Sequence, residues 1–307
     1  MRAFASYILR GRLHAISVAV TAAVLAVLLP LFGHVSGAAI ALVTLRKGYR
    51  EGLLVLAGAG LILAILGAFS TVAQPLVVAF LVSTILVMWL PVVIVAEVLR
   101  LGRDLGKALA TTALLAVLAM LFLQIAVEDP AAWWRGMLES VLSPMLAEAA
   151  MPMSEEDMTR MLDSLANVMT GFMAAALVYS TMINLIIGRW LQAIVYNPGG
   201  FREEFHRLRL GRGVAVAALG ILLFVSFASG SMETLANNFL ILMVAVYAFH
   251  GLALVHAVAE ARKAHIAWLV VLYLLILFML PQAMVVLSAA GFADSWVDFR
   301  SLIKKKP

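Results

Sequence analysis

Long apolar stretches, separated by short basic clusters, follow one another along almost the whole chain. Apolar and polar residues do not alternate within these stretches, which argues against barrel strands. About 20 apolar residues in a helix cross a hydrocarbon core of roughly 30 Å, and lipid tolerates only helices and closed barrels. The pattern predicts an all-α transmembrane helix bundle of about nine spans, near residues 13–32, 34–46, 51–70, 74–99, 106–127, 165–190, 213–230, 235–259 and 266–290.

Basic residues are distributed unevenly between the two sets of loops. If the N-terminus is cytoplasmic, the cytoplasmic segments hold 16 of them: Arg2, Arg10, Arg12, Arg46, Lys47, Arg50, Arg100, Arg103, Lys107, Arg189, Arg202, Arg207, Arg209, Arg212, Arg262 and Lys263. The outer loops before the C-terminal tail hold two, Arg135 and Arg160. This split follows the positive-inside rule. We therefore expect a multi-pass membrane protein with a cytoplasmic N-terminus.

The C-terminal tail does not fit nine crossings. Nine spans place Arg300 and the basic residues 304–306 outside. Either the basic tail is tolerated there, or the last segment, broken at Pro281–Gln282, turns back as a re-entrant hairpin and leaves eight spans.

One longer polar segment divides the chain. We expect a five-span half at 1–127, an extracytoplasmic insert at 128–164, a four-span half at 165–290 and a polar tail at 291–307. The insert is acidic and carries Trp133 and Trp134 at the start of an amphipathic pattern, which predicts an interfacial helix ending near Pro144. The S-E-E-D sequence from Ser154 is typical of a capping box and predicts a second helix that runs into the sixth span.

Composition excludes several classes of protein. With 64% hydrophobic and 13% charged residues and a mean hydropathy of +1.05, the chain lies outside the soluble class. The net charge of +5 resides in the loop clusters, so we expect no nucleic-acid partner. Without cysteine there is no disulfide or thiolate metal site. The sequence contains no GxSxG, HExxH or complete P-loop motif, so we expect no enzyme, no cofactor, and ATP hydrolysis only on another chain.

The most distinctive stretch follows the sixth span. Asn197-Pro198-Gly199-Gly200 breaks the helix, and residues 202–210 can form a short cationic amphipathic helix. Such a helix suits anionic lipids at the cytoplasmic face or an acidic partner; the simpler interpretation is a loop that caps the bundle. The candidate functional residues here are Arg189, Trp190, Gln192, Asn197, Pro198, Gly199, Gly200, Phe201, Arg202, Glu204, Phe205 and Arg209.

Ionisable residues within the spans are further candidates, because an uncompensated charge at the bilayer centre costs at least about 2.5–3.5 kcal/mol. Glu97 and Arg189 lie near the same end of their spans and could form an ion pair. His250, His256 and Glu260 follow one another along the eighth span and could form a proton relay or metal site. The simpler interpretation is that the charges reach the headgroups while His250 bonds a neighbouring helix.

Small residues form two candidate helix-packing faces, since glycine and alanine allow helices to approach closely in lipid. One comprises Gly33 and Gly37 in the second span. The other, in the third span, comprises Ala57, Gly60, Ala64 and Gly67. They serve packing inside the bundle or docking of another membrane subunit.

Three segments resemble a known family. The Arg189-Trp190-Leu191-Gln192 and 197–210 block, the segment 41–48 (ALVTLRKG) and the segment 294–300 (DSWVDFR) are similar to those of the YybS-like, or DUF2232, family of uncharacterised bacterial membrane proteins. That resemblance implies a location in the bacterial cytoplasmic (inner) membrane. It also implies a distant likeness to the solute-binding S components of energy-coupling-factor transporters and to the cell-shape protein MreD. The S components have fewer spans than nine, so no ligand residue is carried over.

Two functions follow as expectations. The first is a transport-related, S-component-like solute-binding subunit that relies on another membrane subunit or an energising ATPase. The second is a non-catalytic, MreD-like scaffold of the cell envelope. A cavity of about 300 Å³ or more near mid-membrane, lined by Asn and Gln, would favour the first, and a solidly packed bundle with exposed glycine faces would favour the second. The amides available are Gln124, Asn184, Asn237, Asn238 and Gln282.

Overall fold

The computed structural model describes residues 1–72, 74–148 and 154–304, and these residues form an all-α fold. The helices are α1 (Arg2–Leu9), α2 (Arg12–Leu25), α3 (Leu31–Lys47), α4 (Tyr49–Ala68), α5 (Gln74–Ser83), a π-helical turn (Thr84–Trp89), α6 (Leu90–Gly102), α7 (Leu105–Ala126), α8 (Pro130–Glu148), α9 (Glu155–Tyr196), α10 (Gly200–Arg207), α11 (Arg212–Val225), α12 (Ser231–Ala261), α13 (Ala267–Phe278), α14 (Leu280–Trp296) and α15 (Phe299–Lys304).

Nine spans are not confirmed. Within the described ranges, five helical segments are long and apolar enough to cross a membrane: α4, α5–α6, α7, α9 and α12. The number rises to seven if the bent pairs α1–α2 and α10–α11 each count as one span. The remaining predicted spans contain breaks that hydropathy does not register, such as the turn at 26–30 that ends α2 at Leu25. The fold is therefore a multi-pass bundle with five to seven candidate spans.

The short second predicted span is the centre of the bundle. Every residue of α3 from Ser36 to Leu45 is buried. Gly37 allows this packing, because a Cβ there would lie 2.2 Å from Asn184 Nδ2 of α9. Gly188 of α9 likewise lies against Ala41, with a hypothetical Cβ 2.6 Å from the alanine methyl. A helix that is apolar all round and built from small residues is buried on all sides.

A π-helical break precedes Pro91 in the helical segment α5–α6. Proline lacks the N–H that would continue the helical ladder, and the turn just before it is π-helical, from Thr84 to Trp89. Trp89 is buried there and its Nε1 donates to Ser36 Oγ at 3.1 Å. The cavity beside this turn holds only about 20 Å³, roughly one water molecule. The break therefore packs against α3 and lines no ligand-sized space.

The basic clusters meet at one end of the bundle, which we call the basic end. Its contacts include Arg12 Nε to Glu51 Oε2 at 2.8 Å and Gln192 Nε2 to the Leu45 carbonyl at 3.2 Å. The Arg209 carbonyl lies against Gly106 at the start of α7. The predicted grouping of these loops on one side is thus consistent with the fold.

The opposite end, which we call the acidic end, carries the insert. Helix α7 spans 22 residues, so its two ends lie about 33 Å apart. Helix α8 does not end near Pro144 as predicted; it continues to Glu148 with Pro144 inside it. The predicted capping box at Ser154 is confirmed, because its Oγ accepts the Asp157 amide at 3.1 Å and α9 runs unbroken to Tyr196. The segment 149–153 lies outside the described residues.

The last predicted span is two helices rather than one. Helices α13 and α14 hold 12 and 17 residues, about 18 and 25 Å, and each is shorter than a hydrocarbon core. Helix α14 packs against α12, where a Cβ on Gly251 would lie 1.8 Å from the Leu287 carbonyl oxygen. The following segment returns to the basic end, since Arg300 Nη2 donates to the Leu208 carbonyl at 2.9 Å. This arrangement matches the hairpin alternative and places Arg300 at the same end as the other basic clusters.

The two small-residue faces differ. Gly33 lies against Met88 and Gly37 against Asn184, so the first face packs inside the bundle. In α4 the buried side is instead Gly52, Val55, Ala59 and Leu63. Gly60 and Gly67 are half-buried against α5 and the π-helical turn, whereas Ala57 and Ala64 are exposed. The second face is therefore only partly used within the described structure.

Candidate functional site

A polar cleft of about 350 Å³ opens at the acidic end between α7, α9, α12 and the start of α8. Its floor is the buried side chains of Ala166, Thr170 and Asn238. Its rim is formed by exposed polar residues, namely Gln124, Glu128, Asp129 and Asn167. Two of the amides expected to line a cavity, Gln124 and Asn238, are thus found together, but the cleft lies at one end of the bundle and not near mid-membrane.

Asn238 is held rigidly in the floor. Its Nδ2 donates to the carbonyls of Asn167 and Thr234, both at 2.8 Å, and its Oδ1 accepts the Gly171 amide at 2.5 Å. Asn167 C=O and Gly171 N–H would bond to each other in a regular helix. The Asn238 side-chain amide therefore bonds to both members of one helical backbone pair. Gly171 permits the approach, because a Cβ there would lie 2.8 Å from Asn238 Oδ1. The amide therefore fixes α12 against α9 beneath the cleft.

The wall of the cleft is fixed by α8. Trp134 Nε1 donates to Thr170 Oγ1 at 2.9 Å, which ties α8 to α9 through two buried side chains. Asp129 caps α8, since its Oδ1 accepts the Ala132 amide at 3.0 Å and proline follows at position 130. The cap and the tryptophan together place the Glu128–Ala131 turn over the floor.

The charge of the cleft is negative. Glu128 and Asp129 are carboxylates, and none of the described residues that line the cleft is basic. The nearby Arg135 is engaged with Asp163 at 2.9 Å. Within the described residues the Gln124 and Glu128 side chains make no hydrogen bond. They face a floor whose polar side chains, Thr170 and Asn238, already form hydrogen bonds with other residues. This arrangement can bind a small polar molecule that carries a positive charge.

The basic end contains a second constellation, a buried charge cluster around Asp294. This carboxylate is fully buried; His250 Nε2 lies 3.0 Å away, Arg209 Nε 3.4 Å and Arg300 Nη2 3.6 Å. Arg209 also pairs with Asp298 at 3.1 Å, so two carboxylates face two guanidiniums. Because a carboxylate only accepts, His250 donates through Nε2; Nδ1 is buried without a hydrogen-bond partner among the described side chains. The two guanidiniums balance the charge of the two carboxylates.

Asp298 lies outside the candidate spans, at the solvent side of this cluster. Burial raises the pKa of Asp298, but hydrogen bonds from Arg209 and the Ser301 amide and the attraction of the Arg209 charge outweigh it. The pKa of the Asp298 carboxyl is therefore held below its usual value. This carboxylate stays charged and keeps Arg209 in place.

The central block is organised as predicted around Gly199, which has a φ of +89° and begins α10. Such a conformation favours glycine. Phe205 and Leu208 are buried on the inner side of α10, as the amphipathic pattern predicts. Asn197 supports the turn, because its carbonyl accepts the Gly200 amide at 3.0 Å.

The predicted Glu97–Arg189 ion pair is wrong. Arg189 instead pairs with Glu204 of α10 and bonds Gln192 on its own helix. Glu97 accepts Arg100 Nε at 2.8 Å, one turn along α6, together with the Tyr49 amide at 3.0 Å. The glycine turn brings Glu204 back over α9, which sequence spacing alone did not reveal.

The candidate histidines have separate environments. His250 bonds Asp294 of α14, the interhelical bond that the simpler interpretation expects. His256 Nε2 lies 2.9 Å from Tyr273 Oη of α13, and Glu260 pairs with Arg202. No group of three or more potential His or carboxylate metal ligands occurs in the parts of the chain that the structure describes.

Sequence reasoning missed the importance of Asp294, of Thr170 and of the Glu128 rim. Asp294 lies in a segment used for the family resemblance. An acidic residue directly after an apolar run was the sequence signal that could have marked it as a buried functional or structural charge. Asn184 bonds between helices, to His34 Nδ1 at 2.8 Å, whereas Gln282 is exposed. Trp190, at the basic end, is partly exposed beside α10.

Comparison with known proteins gives one match. Residues 15–295 match the family described as "Predicted membrane protein (DUF2232)". No curated protein and no solved structure matches the chain. The match covers the cleft at the acidic end and, at the basic end, His250, Arg209 and Asp294, but it ends before Asp298 and Arg300.

Proposed function

This chain belongs to the DUF2232 family of predicted membrane proteins, and we propose that it is a solute-binding membrane subunit related to transport. The observation that supports this proposal is the polar cleft at the acidic end. Its volume of about 350 Å³ lies within the range of about 300–1,000 Å³ typical of small-molecule sites. A preformed polar floor with an acidic rim is suited to capturing a small, positively charged polar solute.

The sidedness of the basic residues supports capture from outside the cell. If the protein lies in a bacterial inner membrane with its basic end on the cytoplasmic side, the cleft faces the extracytoplasmic side. The carboxylates at the rim then raise the local concentration of cationic solutes. The sequence lacks a P-loop, so movement across the membrane relies on an energising ATPase or membrane subunit supplied by another chain.

The proposal is tested by what the purified protein retains. Full-length protein is purified in mild detergent, and the small molecules bound to it are extracted and identified by mass spectrometry. Asn167→Trp places an indole in the cleft, whereas Ser164→Trp places the same group one turn earlier on α9, on an exposed position away from the cleft. We expect a small polar molecule in the wild type and the Ser164 variant that is lost from the Asn167 variant. Identical extracts from all three proteins would contradict solute binding at the cleft.

A second candidate function, a membrane scaffold, is favoured by the exposed small residues of α4. Ala57 and Ala64 face outward beside the half-buried Gly60 and Gly67. Such a face allows another helix to approach closely. Bulky replacement by Ala57→Leu should then abolish co-purification of a second membrane protein while leaving cleft binding unchanged.

A further inference from the structure

Helix α13 stands apart from the rest of the bundle and leaves a groove at the basic end. None of its residues is buried, and among the described residues a single hydrogen bond, between Tyr273 Oη and His256 Nε2, ties it to α12. The groove between α13, α9 and α12 has a volume of about 650 Å³, and α10 lines the groove where it opens at the basic end. Its size and position differ from those of the cleft, which lies at the opposite end.

The walls of this groove are apolar. Ile183 and Ile187 line it from α9, Phe249 and Leu252 from α12, and Leu269 from α13. The outer face of α13 is also apolar and exposed: among its residues, Trp268 is 70% and Leu277 72% exposed. These side chains are stable only in hydrocarbon. The groove is therefore continuous with the acyl region of the membrane.

The mouth of the groove is polar and carries excess positive charge. Arg202, Lys263 and Glu260 line it, together with His206. Arg202 and Glu260 pair with each other, whereas Lys263 forms no ion pair within the described residues. Trp190 also lies there, partly exposed, with the amphipathic ring that is favoured at a membrane interface. The groove is thus apolar along its walls and ends at the Lys263 ammonium group, which forms no ion pair among the described residues. An acyl chain with an anionic headgroup matches both features.

We propose that this groove binds an acidic phospholipid from the leaflet at the basic end. One acyl chain lies between α13 and the α9–α12 wall. The headgroup phosphate is held by the Lys263 ammonium, with Arg202 beside it. The site is separate from the solute cleft, so it neither requires nor supports the function proposed above.

Lipid titration followed by native mass spectrometry tests this site. Delipidated full-length protein in detergent is titrated with phosphatidylglycerol and with phosphatidylcholine that carries the same acyl chains. A basic residue near an anionic membrane surface contributes about 1 kcal/mol, or about fivefold in affinity. We expect wild type to prefer phosphatidylglycerol by at least about fivefold, and Lys263→Gln to lose most of that preference. The matched control is Lys107→Gln, an exposed lysine at the basic end outside the groove, which should keep it.

A groove-filling variant tests the acyl-chain part of the proposal. Leu252, half-buried on α12, lines the groove, so Leu252→Trp should weaken the binding of both lipids. Whatever lipid still binds should be preferred in the same order, phosphatidylglycerol over phosphatidylcholine. Thermal unfolding of each variant checks folding, and the Lys263 variant, altered at an exposed position, carries the test if the tryptophan variant fails to fold. Equal binding of the two lipids by wild type would overturn the proposal. So would an equal loss in the Lys107 variant, or binding of glycerol phosphate as tight as that of the lipid, which would assign a soluble phosphate instead.

Discussion

Replacing Asp294 by asparagine tests the buried charge cluster that joins the C-terminal segment to the central block. The substitution keeps the shape of the side chain and an acceptor for His250 but removes the charge that faces Arg209 and Arg300. Asp294 is fully buried, and the Arg300 side chain is only 13% exposed. The arginine would therefore lose the carboxylate that compensates its charge at 3.6 Å.

The expected magnitude follows from this burial. Removing one partner of a buried ion pair costs about 3–5 kcal/mol. Arg209 is 36% exposed and keeps its ion pair with Asp298, so solvent screens most of the free energy that Arg209 would lose. We expect a loss of about 3 kcal/mol, near the lower limit of that range. At about 2.1 cal/mol/K of unfolding entropy per residue, 1 kcal/mol corresponds to about 1.5 °C for 307 residues, so Tm should fall by about 5 °C.

The assay is thermal unfolding of the purified protein in detergent, followed by tryptophan fluorescence. Asp298→Asn is the matched control, because that side chain is 46% exposed and should cost less than about 1 kcal/mol. Arg300→Gln combined with Asp294→Asn should cost less than the sum of the single changes, since both remove the same contact. A Tm for Asp294→Asn within 2 °C of wild type, or strict additivity in the double variant, would refute the buried charge cluster.

Three other predictions concern packing, pH and the central block. Gly251→Ala should lower stability by about 3 kcal/mol, because its Cβ meets the backbone of α14, while Gly220→Ala, with open space around it, should raise stability by about 0.5–1 kcal/mol; unfolding curves compare them. The folded-state pKa of Asp298 lies below its unfolded value, so its contribution is full above about pH 4 and is lost as the pH falls through the folded-state pKa. The Tm difference between wild type and Asp298→Asn should accordingly shrink below about pH 4, and a difference that persists there would contradict the shift. Exchanging the charges of Arg189 and Glu204 should recover part of the roughly 1 kcal/mol lost in either single charge reversal, and no recovery would exclude the pair.

Hydropathy predicted the long helices well because their signal is local. Helices α4, α7 and α12 begin and end within a few residues of the predicted spans, and the capping box at Ser154 was readable from four letters. The breaks that shorten α2, α11 and the last segment were harder to place. Where a helix ends within an apolar run depends on how the helix packs against its neighbours. Interior packing contacts, such as that between Gly251 of α12 and Leu287 of α14, are not visible in the apolar pattern.

The candidate site was predictable only in part. Gln124 and Asn238 were named as possible cavity amides because polar groups in apolar spans need a reason. Their meeting at one cleft depends on the register between α7, α9 and α12, which no pattern in a single chain encodes. The error over Glu97 and Arg189 has the same origin, since closeness to one membrane face does not specify a partner.

The arrangement of the two ends can be tested with single cysteines, since the natural chain has none. Lys47→Cys and Ser301→Cys place thiols at the basic end, and Glu139→Cys places one on α8 at the acidic end. A membrane-impermeant maleimide is applied to intact cells and to inverted vesicles. We predict that positions 47 and 301 are labelled only from the cytoplasmic side and position 139 only from outside. Labelling of positions 301 and 139 from the same side would contradict the returning hairpin and the two-ended bundle on which both proposed sites depend.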